Sequence, residues 1–150
     1  MPDQQRDLFL AYTDFHRVYK VVLNRILSPY GLSIALWGVL KRICYSEPLS
    51  LKELTRLHGV EAPTTTASVK KLLGLELVTL IPGEDKREKI LSSTDRGCEV
   101  FKRVQPVLDQ LYAEILGDAE TDDIKASIRL FAMLKENILI LRQKGRPDWM

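Results

Sequence analysis

Residues 49–97 read LSLKELTRLHGVEAPTTTASVKKLLGLELVTLIPGEDKREKILSSTDRG, and this stretch limits the possible folds more than any other. Leu51, Leu54 and Leu57 recur at helical spacing, which predicts a short helix with a narrow apolar stripe. Gly59 should end that helix, because glycine takes the left-handed conformation a helix terminus prefers. Val60 then opens a second segment, whose Pro63 fits only a first helical turn, where the missing N–H would be unpaired anyway. Two helices joined by a short turn containing a glycine form a helix-turn-helix, whose second helix can lie in a DNA major groove.

That second helix has two unlike faces. Val69, Leu72 and Leu73 can pack inward, with Thr65 one turn earlier on the same side. Thr64, Thr66, Ala67, Lys70 and Lys71 are left outward. Short hydroxyls reach base edges or phosphates, and small side chains allow close approach to a groove. A merely solvated face would favour Glu, Lys or Ala over three consecutive β-branched threonines, which lower helix propensity. The candidate DNA contacts here are Pro63, Thr64, Thr65, Thr66, Ser68, Lys70 and Lys71.

Two β-forming runs follow, 77–81 (LVTLI) and 88–92 (EKILS), separated by Pro82-Gly83-Glu84-Asp85-Lys86-Arg87. A charged hairpin alone is usually a solvated turn. Directly after a helix-turn-helix it reads as a wing, whose tip arginine can enter a minor groove. Asp85, Lys86 and Arg87 complete the candidate DNA contacts, with Asp85 expected to position the guanidinium of Arg87.

The segment 31–97 resembles the winged helix-turn-helix of the multiple antibiotic resistance regulator (MarR) family. The resemblance rests on Gly31 and Leu32 before the second helix, on Asp85, Lys86 and Arg87 in the wing, and on Thr94 and Gly97 opening the next helix. Three positions depart from the family pattern. Glu76 stands where a glycine usually ends the recognition helix, which leaves room for a differently shaped helix end. Apolar Leu80 or Ile81 replaces a basic residue of the first wing strand, and Ala67 replaces a longer polar side chain. Both changes bear on sequence preference rather than on fold.

Outside this lobe the chain is helical. Leu8, Tyr12, Phe15, Tyr19, Val22 and Ile26 alternate at spacings of four and three, predicting an amphipathic helix over 3–28. A second helix over 34–45 turns Leu36, Leu40 and Ile43 inward, with Cys44 near that face. After the wing, Thr94 or Asp95 should cap a long helix striped by Val100, Val104, Val107 or Leu108, Leu111 and Ile115, and bent at Pro106. Gly117-Asp118 breaks it, and 120–143 forms a last helix seamed by Ile124, Ile128, Phe131, Leu134, Ile138 and Leu141. Gly145-Arg146-Pro147 should end that helix. The expected fold is mainly α with a small β-wing, a winged helix-turn-helix flanked by long N- and C-terminal dimerisation helices. All 150 residues form one protomer, with a DNA-binding lobe at 32–97 and dimerisation helices at 3–28 and 98–143. Such long apolar stripes exceed what one copy can cover, so a two-fold homodimer is expected. Its two recognition helices would lie about one DNA turn apart on a pseudo-palindromic operator.

Composition narrows the functional classes. Hydrophobic content of 45% and charged content of 28% are those of a globular domain. No apolar run is long enough to span a membrane, and MPDQQRDLFL lacks the basic-then-apolar order of a signal peptide. Two scattered cysteines make no disulfide framework, and the expected compartment is the cytoplasm. Neither a Ser-His-Asp or Cys-His spacing, nor a metal cluster around His16 or His58, nor a phosphate-binding glycine loop is visible, so no enzyme and no cofactor is expected. The net charge of +2 is small for a DNA-binding protein, and residues 49–97 carry eight basic side chains against seven acidic ones. Binding must therefore come from where the charges lie. The reading is a dimeric, sequence-specific DNA-binding regulator acting as a repressor, and the resemblance implies release by a small-molecule effector held near Tyr12, His16 and Trp37. Two alternatives stand beside it. One is a thiol-based redox regulator using Cys98 or Cys44; Cys98 lies in a helix first turn beside Arg96. The other is a winged helix that contacts only proteins.

Overall fold

The structure, a computed structural model, describes residues 2–46, 48–59, 61–85 and 87–145. Six α-helices and three strands are described: α1 (Pro2–Leu27), α2 (Ile34–Ser46), β1 (Leu49–Ser50), α3 (Leu51–His58), α4 (Ala62–Gly74), β2 (Val78–Pro82), β3 (Lys89–Ser93), α5 (Asp95–Leu116) and α6 (Thr121–Gln143). A short 3-10 turn, Ser28–Tyr30, follows α1, which stops at Leu27, one residue short of the expected end at 28. None of these helices is long and apolar enough to cross a membrane.

The chain divides into two compact units, Met1–Leu108 and Asp109–Met150. In the first, α2 is the centre. Its Leu36, Trp37, Val39, Leu40 and Ile43 are all buried, and α1, α3, α4 and β3 pack around it. Leu54 of α3, Val69 and Leu72 of α4, and Leu91 of β3 complete that core. Each fully buried leucine contributes about 1.5–3 kcal/mol relative to exposure. The lobe is therefore held by apolar packing around one helix, and its charged groups lie outside. In the second unit, every residue of α6 is exposed or half-buried, including Ile128 at 63% and Ile138 at 56%.

The wing forms as expected, with each strand displaced by one residue from the β-forming runs. β2 and β3 are antiparallel, pairing Val78 with Ser93 and Pro82 with Lys89. The sequence reading missed β1, which adds a third strand on the other edge of β3, pairing Leu49 with Leu91 and Ser50 with Ile90. Two residues are too short for any alternation to be legible; buried Leu49 pairs only because β3 leaves that edge open.

Three residues tie the wing to the flanking helices. Glu76, just past α4, has φ 58°, a left-handed conformation that favours glycine. A glutamate in this conformation is under backbone strain that the surrounding fold holds in place. Thr94 explains why. Its hydroxyl donates to the Glu76 carbonyl at 2.7 Å and accepts the Gly97 N–H at 3.0 Å, while its own N–H donates to the Leu77 carbonyl at 3.1 Å. Thr94, not Asp95, is the cap of α5. Gly97 is buried against this junction, and a Cβ there would overlap the Leu77 carbonyl. The Thr-x-x-Gly pattern is therefore a clamp between the recognition helix, the wing base and α5. Helix α5 continues through Pro106.

Candidate nucleic-acid interface

The helix-turn-helix is built from α3 and α4. A reciprocal capping box starts α3: Ser50 Oγ accepts the Glu53 N–H at 3.2 Å, and Glu53 Oε2 accepts the Ser50 N–H at 2.9 Å. Ser50 Oγ also donates to Glu53 Oε2 at 2.9 Å. The Ser50 backbone N–H, then its hydroxyl, hold the Glu53 carboxyl below its ordinary range. Gly59 closes α3 with φ 71°, its N–H bonded to the Thr55 carbonyl at 3.1 Å. Helix α4 opens at Ala62 with Pro63 in its first turn, as the missing N–H requires.

On α4 the threonines separate. Thr64 and Thr66 are exposed, with Pro63, Ala67, Lys70 and Lys71. Thr65 is fully buried, its hydroxyl donating to the Glu61 carbonyl at 3.4 Å, so its nomination as a DNA contact is corrected. Its side chain faces the core with Val69 and Leu72, one and two turns further on. Ser68 is half-buried at the margin of that face.

In the wing, Asp85 and Arg87 are exposed at the hairpin turn. Asp85 Oδ1 accepts the Arg87 backbone N–H at 3.0 Å, and the Glu88 N–H bonds the Asp85 carbonyl at 2.8 Å. The aspartate thus fixes the main chain of the turn rather than the guanidinium, contrary to the expected pairing. Lys86 lies outside the described residues.

Between the start of α3, the amino-terminal turns of α4 and the wing runs a groove of about 800 Å³. It brings Thr66, Asp85 and Arg87 together with residues that the sequence reading did not single out: Ser50, Lys52, Thr55, Glu88 and Lys89. Ser50-x-x-Glu53 is a legible capping signature and could have marked the start of α3. Nothing in the sequence joins Lys52 to Lys89.

Of the residues expected near an effector, Tyr12 and His16 lie on α1 and Trp37 on α2. Tyr12 and His16 stack on each other along exposed α1, with ring centroids 5.7 Å apart. Trp37 is buried (3% exposed) and stacks on Phe101 of α5 at 5.8 Å, with Tyr45 edge-on to Phe101 at 5.2 Å. The Trp37 indole N–H meets no acceptor among the described residues. Cys98 is half-buried, its Sγ 3.1 Å from Ser93 Oγ, and Cys44 is half-buried on α2. Among the described residues no His, Cys, Asp and Glu side chains gather into a metal-binding group.

No protein-family model matches the chain. An uncharacterized HTH-type transcriptional regulator of Bacillus subtilis (strain 168), YwoH, is 33% identical over 133 residues, spanning 83% of this chain and 97% of that relative. Among solved structures, a Staphylococcus aureus MarR in complex with salicylate and kanamycin superposes with a TM-score of 0.77 at 24% identity, covering 91% of this chain and 93% of the other. The transcriptional regulator SlyA superposes with a TM-score of 0.81 at 14% identity, covering 93% and 99%.

Proposed function

The chain belongs to the HTH-type transcriptional regulators, DNA-binding proteins and not enzymes, with the MarR winged helix-turn-helix fold, and from that premise we propose that it is a dimeric repressor released by a small molecule. Helix α4 enters a major groove with Thr64, Thr66, Lys70 and Lys71 outward, and the wing reaches the adjacent minor groove with Arg87. The observation that carries this reading is that Thr64, Thr66, Lys70 and Lys71 are all exposed on α4, with Thr66 lining the same groove as the exposed wing arginine Arg87. Hydroxyls near the amino end of α4 suit base edges; the lysines behind them suit phosphates.

Dimerisation is assigned to helices 3–28 and 98–143, and DNA binding to the lobe at 32–97. What supports this division is apolar surface left open on α1 and α6: Phe9 at 55%, Phe15 at 53% and Val18 at 67% on the one, Ile128, Phe131 and Ile138 on the other. Large contiguous apolar surface is rarely left in water. The effector is placed near Tyr12, His16 and Trp37. The indole N–H of Trp37, which meets no acceptor among the described residues, favours this, since a buried donor without a partner costs about 1–3 kcal/mol. Salicylate and kanamycin accompany the Staphylococcus aureus structure, which makes them the first effectors to test.

Selection of bound duplexes from random sequence, followed by footprinting, tests the reading. A two-fold related site with two protected half-sites about one turn apart is expected, weakening steeply with salt. A protein that selects no sequence, or binds DNA without salt dependence, would overturn it.

A further inference from the structure

The groove between α3 and the wing has a consequence that rests on the DNA-binding reading above. In a duplex, a major groove and the minor groove beside it are separated by one sugar-phosphate backbone. A protein that places α4 in the first and its wing in the second must straddle that backbone. The space between α4 and the wing is where the backbone has to pass.

We propose that this groove seats one sugar-phosphate strand, and that Lys52 and Lys89, both in its lining, hold its phosphates. Its lining includes Lys52 and Thr55 of α3, Thr66 of α4, Arg87 of the wing turn and Lys89 of β3, and the pairing of Ser50 with Ile90 brings the start of α3 beside Lys89. At about 800 Å³ the groove is roomy, and it is open to solvent along its length, as a passing strand requires. Lys52 and Lys89 are exposed, so their ammonium groups are free to meet a phosphate without a cost of unburying them. The amino end of α3 supplies no competing anion site. Its dipole already faces the Glu53 carboxylate, which accepts the Ser50 N–H and hydroxyl. Phosphate binding here depends on the two lysines as point charges.

The same groove holds two carboxylates. Asp85 is engaged with the Arg87 N–H at 3.0 Å and keeps the turn in shape. Glu88 lines the groove as well, and its charge opposes a phosphate. Two lysines and one carboxylate therefore predict effects of opposite sign. Removing a lysine weakens DNA binding and neutralising Glu88 strengthens it, on any sequence.

The test is a salt titration with a mixed-sequence duplex of about 30 base pairs, on the full chain and its Lys52→Ala, Lys89→Ala and Glu88→Gln variants. Lys102→Ala, on exposed α5 outside the groove, is the control. Each lysine variant should lower the slope of log K against log salt by about 0.9 per phosphate, hence by about two per two-fold dimer. Glu88→Gln should bind several-fold more tightly at constant salt, and Lys102→Ala should match the parent. If the parent binds with a steep salt slope and either lysine variant keeps that slope, or Glu88→Gln binds no better, the assignment is wrong. If the parent itself shows no salt-dependent binding, the DNA-binding reading fails, and this inference fails with it.

Discussion

At the scale of single residues, the junction after α4 stores strain that a glycine would release. A non-glycine residue in the left-handed region costs about 1–2 kcal/mol. Glu76 returns little for it, because its ion pair with Arg96, 3.5 Å long, joins two largely exposed side chains. Against the relief stands the extra freedom a glycine has when unfolded, about 0.4–1 kcal/mol. Glu76→Gly should therefore stabilise the fold by about 0.5–1 kcal/mol in urea unfolding. Gly97→Ala should do the opposite and lower stability by about 2 kcal/mol or more, since its Cβ meets backbone that cannot turn aside. The adjacent threonines of α4 make a paired prediction. Thr66→Ala should cost about 1 kcal/mol on a selected operator and little on random DNA. Thr65→Ala should lower thermal stability, because its side chain is buried, while DNA affinity per folded protein stays near the parent's. A Thr65 variant that folds as well as the parent but loses operator specificity would return that residue to the DNA surface.

At the scale of elements, the start of α3 and the wing each carry a measurable signature. The Ser50 N–H and hydroxyl lower the folded-state pKa of Glu53 below its ordinary value of 4.5. A depressed carboxyl contributes stability that is present above the unfolded pKa and lost as pH falls through the folded one. Stability of the parent should therefore drop more steeply below about pH 4.5 than that of Glu53→Gln, and parallel curves from chemical unfolding at several pH values would count against the capping box. The wing acts through the minor groove. Arg87→Ala should weaken binding most where the flanking sequence narrows that groove, and a G·C-rich flank should mimic the mutation on the parent. Equal binding of parent and variant to both flanks would remove the wing from the DNA surface.

At the scale of the whole molecule, α6 presents an exposed apolar seam. Ile128, Phe131 and Ile138 are all exposed. Truncation after Gly117 removes this seam, and the remaining stripes on α1 and α5 should then drive aggregation or unfolding. A soluble, well-folded monomer of the truncated chain in sedimentation would end the dimer proposal. The intact chain should sediment as a dimer across the concentrations used for DNA binding.

All the elements but β1 were legible in the sequence, because their signals are local. Apolar residues at helical spacing define α1, α2, α5 and α6, Gly59 and Pro63 bracket the turn, and the β-forming runs around a charged turn define the wing to within a residue. Thr94 and Gly97 were legible as a signature, though not as a clamp. The tertiary structure alone decided whatever depends on partners distant in the chain. Three consecutive threonines are alike in composition, and only the packing of α4 on α2 buries Thr65 and leaves Thr64 and Thr66 outside. Strand β1 exists because β3 offers a free edge to two residues that would form nothing alone. Glu76 should not favour a left-handed turn, yet its carbonyl is held by a threonine eighteen residues later, and that closure outweighs the local preference. Lys52 and Lys89 acquire a shared groove for the same reason: the pairing of β1 with β3 brings the start of α3 beside the wing, and no local pattern encodes that meeting.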